Sequence, residues 1–288
     1  MLIDLIKTMR PKHWAKNIFV FTALVFDRKL LNPDALLHTI AGAALFSLIA
    51  SSVYIFNDIA DRDSDQQHPS KKNRPIASGS LSLQAAWAAG IILLVISLPL
   101  AYLLSPAFLA ICALYFALNL TYSAKLKHIP LIDVLVLASF YLLRVISGTT
   151  LIEVQRFSPW LYVVTSLFAL FIGLGKRRAE LVLQTDGSGN TRPVLDGYTI
   201  DLLDQLITIV SGTTIVSYSL YTFSAPNLPD NHSMMLTIPF VLYGIFRYLY
   251  LLQTGEGGAP EDIALSDRPL QAAIILWGLV ILLVFYLY

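Results

Sequence analysis

The sequence predicts an all-α, polytopic membrane protein with nine transmembrane helices. Three observations lead there. Hydrophobic residues make up 56% of the 288-residue chain and charged ones only 14%, whereas soluble domains carry roughly 25% charged residues. Apolar runs near the ~20 residues needed to cross a bilayer follow one another without a polar stretch long enough for a soluble domain. Lys and Arg gather in alternate loops, as membrane topology requires.

The chain begins with an expected interfacial amphipathic segment, residues 1–16. Leu2, Leu5, Ile6 and Met9 fall at helical spacing, with Lys7, Arg10, Lys12 and Lys16 around them. No apolar core followed by a small-residue cleavage site marks this stretch as a signal peptide. Spans are expected near 17–33, 35–57, 82–103, 106–123, 131–151, 158–175, 203–224, 234–253 and 270–288, in one membrane domain over 1–288. Threading them alternately puts the basic groups Lys7 to Lys16, Lys71 to Arg74, Lys125 with Lys127, and Lys176 to Arg192 on one side. Asp27-Arg28-Lys29 is the exception. The N-terminus is therefore expected in the cytoplasm of a plasma (inner) membrane protein, and the C-terminus outside. A net charge of +1 gives no reason to expect a nucleic-acid partner. The single Cys112 lies in an apolar run and reads as a buried hydrophobe.

The polar stretch Asn57-Asp58-Ile59-Ala60-Asp61-Arg62-Asp63-Ser64-Asp65 follows the second run. Asn57, Asp61 and Asp65 are spaced i, i+4, i+8, which puts three oxygen donors on one helix face, with no local cation on that stripe. Such a set suits Mg²⁺, a hard ion held by one or two carboxylates together with phosphate oxygens of a substrate. Asp58 and Asp63 point off the stripe. The basic residues that follow, Lys71, Lys72 and Arg74, supply charge for phosphates. The expectation is a Mg²⁺–diphosphate site at a membrane surface.

Companions lie at other span ends on the same side. Tyr122 can donate a hydrogen bond, and Lys125 and Lys127 can neutralise phosphate. Lys176-Arg177-Arg178-Ala179-Glu180 suits a phosphorylated ligand, with Glu180 near a metal. Trp14 reads as an interfacial anchor, and Lys16 and Asn17 as residues that touch a polar substrate. His68 reads as structural. Ordinary positive-inside flanking explains many of these cations equally well. Two arginines lie within apolar runs, where a charge costs at least ~2.5 kcal/mol and so usually has a partner inside the protein. Arg247 is expected to reach a lipid phosphate; Arg144 is expected to pair inside or to snorkel outward. Asp133 reads as a ligand, a helix-start carboxylate, or both.

These residues resemble the UbiA superfamily of intramembrane prenyltransferases. The resemblance covers nearly the whole chain and rests on Asn57-Asp58-x-x-Asp61-x-x-x-Asp65 and the span layout. Arg10-Pro-Lys-His-Trp-Ala-Lys-Asn17, His68-Pro-x-Lys-x-x-Arg74-Pro-Ile-Ala-Ser-Gly79 and Lys176-Arg-Arg-x-Glu180 are similar to its decaprenyl-phosphate phosphoribosyltransferase branch. Where typical members carry a second Asp-rich motif, this chain has Lys176 to Glu180. The resemblance implies a helical bundle with a central cavity open to the cytoplasmic side.

It also implies the reaction. A 5-phosphoribosyl group would pass from phosphoribosyl diphosphate to a polyprenyl phosphate, with Mg²⁺ and release of diphosphate. Asn57, Asp61 and Asp65 would hold the metal, and Asp61, Asn57 and Lys16 would form the catalytic set. Asn17, Asp58, Asp65, Lys71, Arg74, Tyr122, Lys125, Lys127, Lys176, Arg177, Arg178, Glu180 and Arg247 would bind substrate. The partners are these two substrates and the bilayer; association with further copies of the chain stays open. Two other readings stay open: a prenyltransferase with a prenyl diphosphate donor and an aromatic or glyceryl-phosphate acceptor, and a lipid or solute transporter.

Overall fold

The computed structural model describes residues 1–67, 71–154, 158–185, 193–226, 228–254, 263–264 and 266–287. His68, Asp186 and Arg192 lie outside them. Among the described residues, eight helices are long and apolar enough to cross a membrane. They are α3 (Pro33–Ala60), α5 (Leu83–Leu104), α6 (Pro106–Ala124), α7 (Ile132–Thr149), α8 (Pro159–Thr185), α9 (Ile200–Ser224), α10 (Ile238–Gln253) and α11 (Arg268–Leu287). Shorter helices are α1 (Leu2–Met9), α2 (Thr22–Phe26) and α4 (Arg62–Gln67).

The segment expected as the first span takes another form. A 3-10 run, Pro11–Phe21, leads directly into the five-residue α2. Arg10 ends α1 in the left-handed region, at φ 54° and ψ 61°. The residue before a proline is biased away from the right-handed helix, so Pro11 forces this break. Further on, the Val20 carbonyl lies where a Cβ on Gly148 would sit, so only glycine lets α7 pack there.

The long helices start where the sequence supplies caps. Asn32 accepts from the Ala35 N–H at 3.1 Å, ahead of Pro33, and Thr199 accepts from Leu202 at 3.1 Å. Ser82 and Ser105 cap α5 and α6 in the same way. Helix α8 runs ten residues past its expected end at 175, to Thr185. Arg177 and Arg178 are buried and carry the helix onward inside the protein.

The chain folds into two compact units. The first comprises Met1–Val25, Lys29–Lys125 and Leu143–Val154. Here α3 packs on α1, α5 and α6, and Leu5 and Met9 of α1 pack on buried Ile55, Ile76, Leu81 and Ala86. The second comprises Phe26–Arg28, Leu126–Leu142 and Gln155–Tyr288. Its core gathers Phe171, Leu195, Leu203, Ile207, Ile245 and Tyr248 around the α8–α9 pair. Outward faces stay apolar, as on α5, where Ile92, Val95 and Leu103 are exposed. This suits a surface solvated by lipid tails.

Candidate active site

The polar stretch at the end of α3 is built by a helix that stops and restarts. Asp61 terminates α3 at φ −90° and ψ 5°, and α4 begins at Arg62. The backbone ladder nevertheless continues: Asp61 N–H donates to Asn57 and Asp65 N–H to Asp61, both at 2.8 Å. Asn57 and Asp61 are half-buried, whereas Asp58 and Asp65 are only 3% and 2% exposed.

Buried carboxylates need partners, and these two have them. Arg74 Nη1 donates to Asp65 Oδ2 at 2.7 Å and to Asp58 Oδ1 at 3.1 Å. Arg10 Nη2 donates to Asp58 Oδ1 at 2.5 Å, and the Arg10 Cζ lies 5.1 Å from the Tyr54 ring centre. Lys71 Nζ is 4.0 Å from Asp65 Oδ1. Arg74 is held in place by its own loop. Ile76 and Ala77 are buried, Ser78 N–H donates back to Arg74, and Gly79 takes φ 81° to close the turn. Gln66 ties α4 to the Ala77 carbonyl at 3.1 Å.

The expectation of an unpaired acidic stripe therefore fails at Asp65, which Arg74 engages. Asp58, expected off the stripe, is instead the carboxylate shared by two arginines. Among the described residues no three His, Cys, Asp or Glu side chains converge as a metal cluster. Asn57 and Asp61 still offer hard oxygen donors on one stripe, partly open to solvent. That pair fits Mg²⁺, which takes few protein ligands and completes its shell with water and phosphate oxygens.

A second polar group lies deeper in the same unit. Arg144 is 4% exposed; its Nε donates to Asn17 Oδ1 at 2.9 Å and its Nη2 to the Tyr115 hydroxyl at 3.1 Å. Its guanidinium also lies over the Phe46 and Tyr115 rings, at 5.3 and 5.0 Å. Asn17 Nδ2 donates to Ser47 at 2.7 Å. Arg144 thus pairs inside the protein and does not snorkel. Asn17, expected to touch substrate, has both amide atoms engaged by protein. Trp14, the expected anchor, donates its indole N–H to Ser51 at 3.0 Å. Trp14, Asn17, Ile18, Phe21, Ile40 and Ser47 line an open groove of about 400 Å³.

The second unit carries its own networks. Asp133 is fully buried and accepts from Arg177 Nε and from the Tyr198 hydroxyl, both at 2.6 Å. The Tyr198 oxygen in turn accepts from the Leu131 N–H at 2.6 Å. Burial, reinforced by the hydrogen bond to Asp133, pushes the Tyr198 hydroxyl well above its ordinary range. Arg177, 1% exposed, also pairs with Glu180. Arg178 donates to Asp204 at 2.6 Å, to the Leu252 carbonyl at 2.9 Å and to Gln253 at 3.0 Å.

Arg177 and Arg178, expected to hold phosphate, are thus engaged by protein acceptors, and Glu180 binds a guanidinium. Arg247, expected to reach lipid phosphate, donates to Asp267 at 2.8 Å. That hydrogen bond holds the Asp267 carboxyl below the usual carboxylate range. Lys16, Lys71, Lys127 and Lys176 are half-buried, as is Tyr122, and Lys125 is exposed at the end of α6. Sequence patterns alone give no pairing role to Arg10, Tyr198, Asp204 or Asp267. Only an unbalanced number of acids and bases near each buried arginine hints at them.

Known proteins share this architecture. Residues 17–266 match the UbiA prenyltransferase family. A decaprenyl-phosphate phosphoribosyltransferase of Corynebacterium glutamicum is 31% identical, over 98% of this chain and 87% of its own length. One of Mycobacterium tuberculosis is 32% identical, over 96% and 92%. Among solved structures, a UbiA homolog from Archaeoglobus fulgidus bound to DMAPP and Mg²⁺ aligns at a TM-score of 0.74 and 17% identity, over 97% of this chain and 99% of that one. At that identity the likeness concerns the fold alone.

Proposed function

The chain belongs to the UbiA prenyltransferase family, and we propose that it transfers 5-phosphoribosyl from phosphoribosyl diphosphate to a polyprenyl phosphate. The observation that carries the reading is the end of α3. There Asn57 and Asp61 are half-buried on one stripe, beside buried carboxylates that Arg10 and Arg74 engage. The near-full-length identity to proteins named for this activity supports it.

On this reading Asn57 and Asp61 hold Mg²⁺, and Asp58 and Asp65 belong to the frame that fixes them. When bound, the metal neutralises charge on the diphosphate leaving group. The lipid phosphate is already an anion at neutral pH, so no strong general base is needed. Its oxygen attacks C1 of the ribose as the C1–diphosphate bond breaks, with inversion to a β-linked product. Lys16, Lys71 and Lys125, with Tyr122, are the first unit's proposed ligands for phosphate oxygens; Lys127 and Lys176 remain cation candidates in the second. The proposal includes nine crossings, with Pro11–Phe26 as the ninth membrane-entering segment, and a cytoplasmic N-terminus. It also includes one catalytic domain with the cytoplasm-facing cavity that the family implies.

The test is donor choice. Purified protein with Mg²⁺ and polyprenyl phosphates is given labelled phosphoribosyl diphosphate or labelled prenyl diphosphate, and products are read by mass spectrometry. Polyprenylphosphoryl-5-phosphoribose from the first donor alone is the expected result. Transfer from the prenyl donor with none from the sugar donor would overturn it.

A further inference from the structure

Arg62 stands apart from the other cations of the acidic stretch. It opens α4, is half-buried, and its Nε is sealed from solvent with no hydrogen-bond partner. Its sequence position favours pairing, since Asp58 and Asp65 lie at i−4 and i+3, the spacings at which helical charges meet. Neither carboxylate pairs with it. Asp58 pairs with Arg10 and Arg74, and Asp65 with Arg74 and Lys71. The break at Asp61 separates Arg62 from Asp58, which sits in the last turn of α3, whereas Asp65 shares α4 with Arg62 and is engaged by Arg74 and Lys71 instead. Arg62 therefore forms no ion pair among the described residues.

The two buried carboxylates nearby already have their cations. Arg10, Arg74 and Lys71 engage Asp58 and Asp65, so neither carboxylate needs Arg62 as a partner. Half-burying a guanidinium costs free energy unless something meets its donors. Arginine's planar fork matches the paired oxygens of a phosphoryl group.

We infer that Arg62 is a substrate-binding residue that takes a phosphoryl oxyanion of the sugar donor, either its 5-phosphate or its diphosphate. The inference rests on the phosphoribosyl-transfer reading and assigns a donor contact within it. Arg62 is placed for binding and not for frame-building, since the frame closes without it.

The experiment uses full-length protein in detergent as wild type, Arg62→Gln and Arg62→Lys. The KM for phosphoribosyl diphosphate is expected to rise at least about tenfold in Arg62→Gln, as loss of a charge-assisted hydrogen bond implies. The KM for polyprenyl phosphate should stay within about twofold, and Arg62→Lys should recover part of the loss. Inhibition by inorganic diphosphate and by ribose 5-phosphate then separates the two sources, since only the one that Arg62 contacts should weaken. An unchanged KM for the sugar donor would overturn the inference. So would losses that track lowered melting temperatures equally in both variants, with neither inhibitor affected. A wild type that transfers no phosphoribosyl group would instead overturn the reading on which the inference rests.

Discussion

The arginine–carboxylate networks around Arg74 and around Arg177 use the same chemistry at different depths. In the first unit Arg10 and Arg74 keep side-chain exposures of 25% and 27% above nearly buried Asp58 and Asp65. In the second unit Arg177 and Asp133 are 1% and 0% exposed, and Tyr198 closes the group. A pair with an open edge can support donors that a ligand reaches. A pair shut off from solvent can only hold helices together, and removing one partner strands the other charge. The difference separates a site frame from a structural lock. It also explains why three consecutive cations on α8 need not form a phosphate site.

The comparison can be broken at several points. The largest effect is expected at Asp61, where Asp61→Ala should lower Mg²⁺-dependent transfer at least ~100-fold while the melting temperature stays near wild type. Next comes Arg177→Ala, which leaves Asp133 uncompensated and should destabilise the protein by about 3–5 kcal/mol. Unfolding or expression level in detergent would show it, with activity per folded molecule largely kept. Tyr198→Phe removes a single donor to the buried Asp133 and should cost about 1–3 kcal/mol, visible in the same unfolding measurement.

The smallest effect concerns Asp267. Its folded pKa lies below its unfolded value, so its pairing with Arg247 adds stability above the ordinary carboxylate pKa of about 4. That contribution fades as pH falls through the folded value. Asp267→Asn should flatten the acid side of a melting-temperature profile taken from neutral pH downward. An unchanged profile would remove Asp267 from the account.

Much of the architecture was legible because hydrophobic periodicity reports it directly. The seven runs from 82 onward and the long α3 fall near their expected places. The 3-10 run Pro11–Phe21, which replaces the first part of the span expected at 17–33, was not legible, since hydropathy does not distinguish helix types. What broke the helix was Pro11 acting on Arg10. That Asn57 and Asp61 share one helix face could be read from i, i+4 spacing alone. The partners of Asp58 could not, because Arg74 is 16 residues away and Arg10 is 48 away. Arg177 and Arg178 misled for the same reason, as their carboxylates lie 44 and 26 residues away in the chain. Local charge runs show how many cations a segment holds but not which of them the fold already engages.

The central claim is that the half-buried pair Asn57–Asp61, and not the closed cluster around Arg177, holds the metal. Mn²⁺ binding followed by electron paramagnetic resonance, with inorganic diphosphate present, tests it most directly. Wild type and Glu180→Gln should bind alike, and Asp61→Ala should lose the bound signal while remaining folded. Binding that survives Asp61→Ala and disappears in Glu180→Gln would contradict the account.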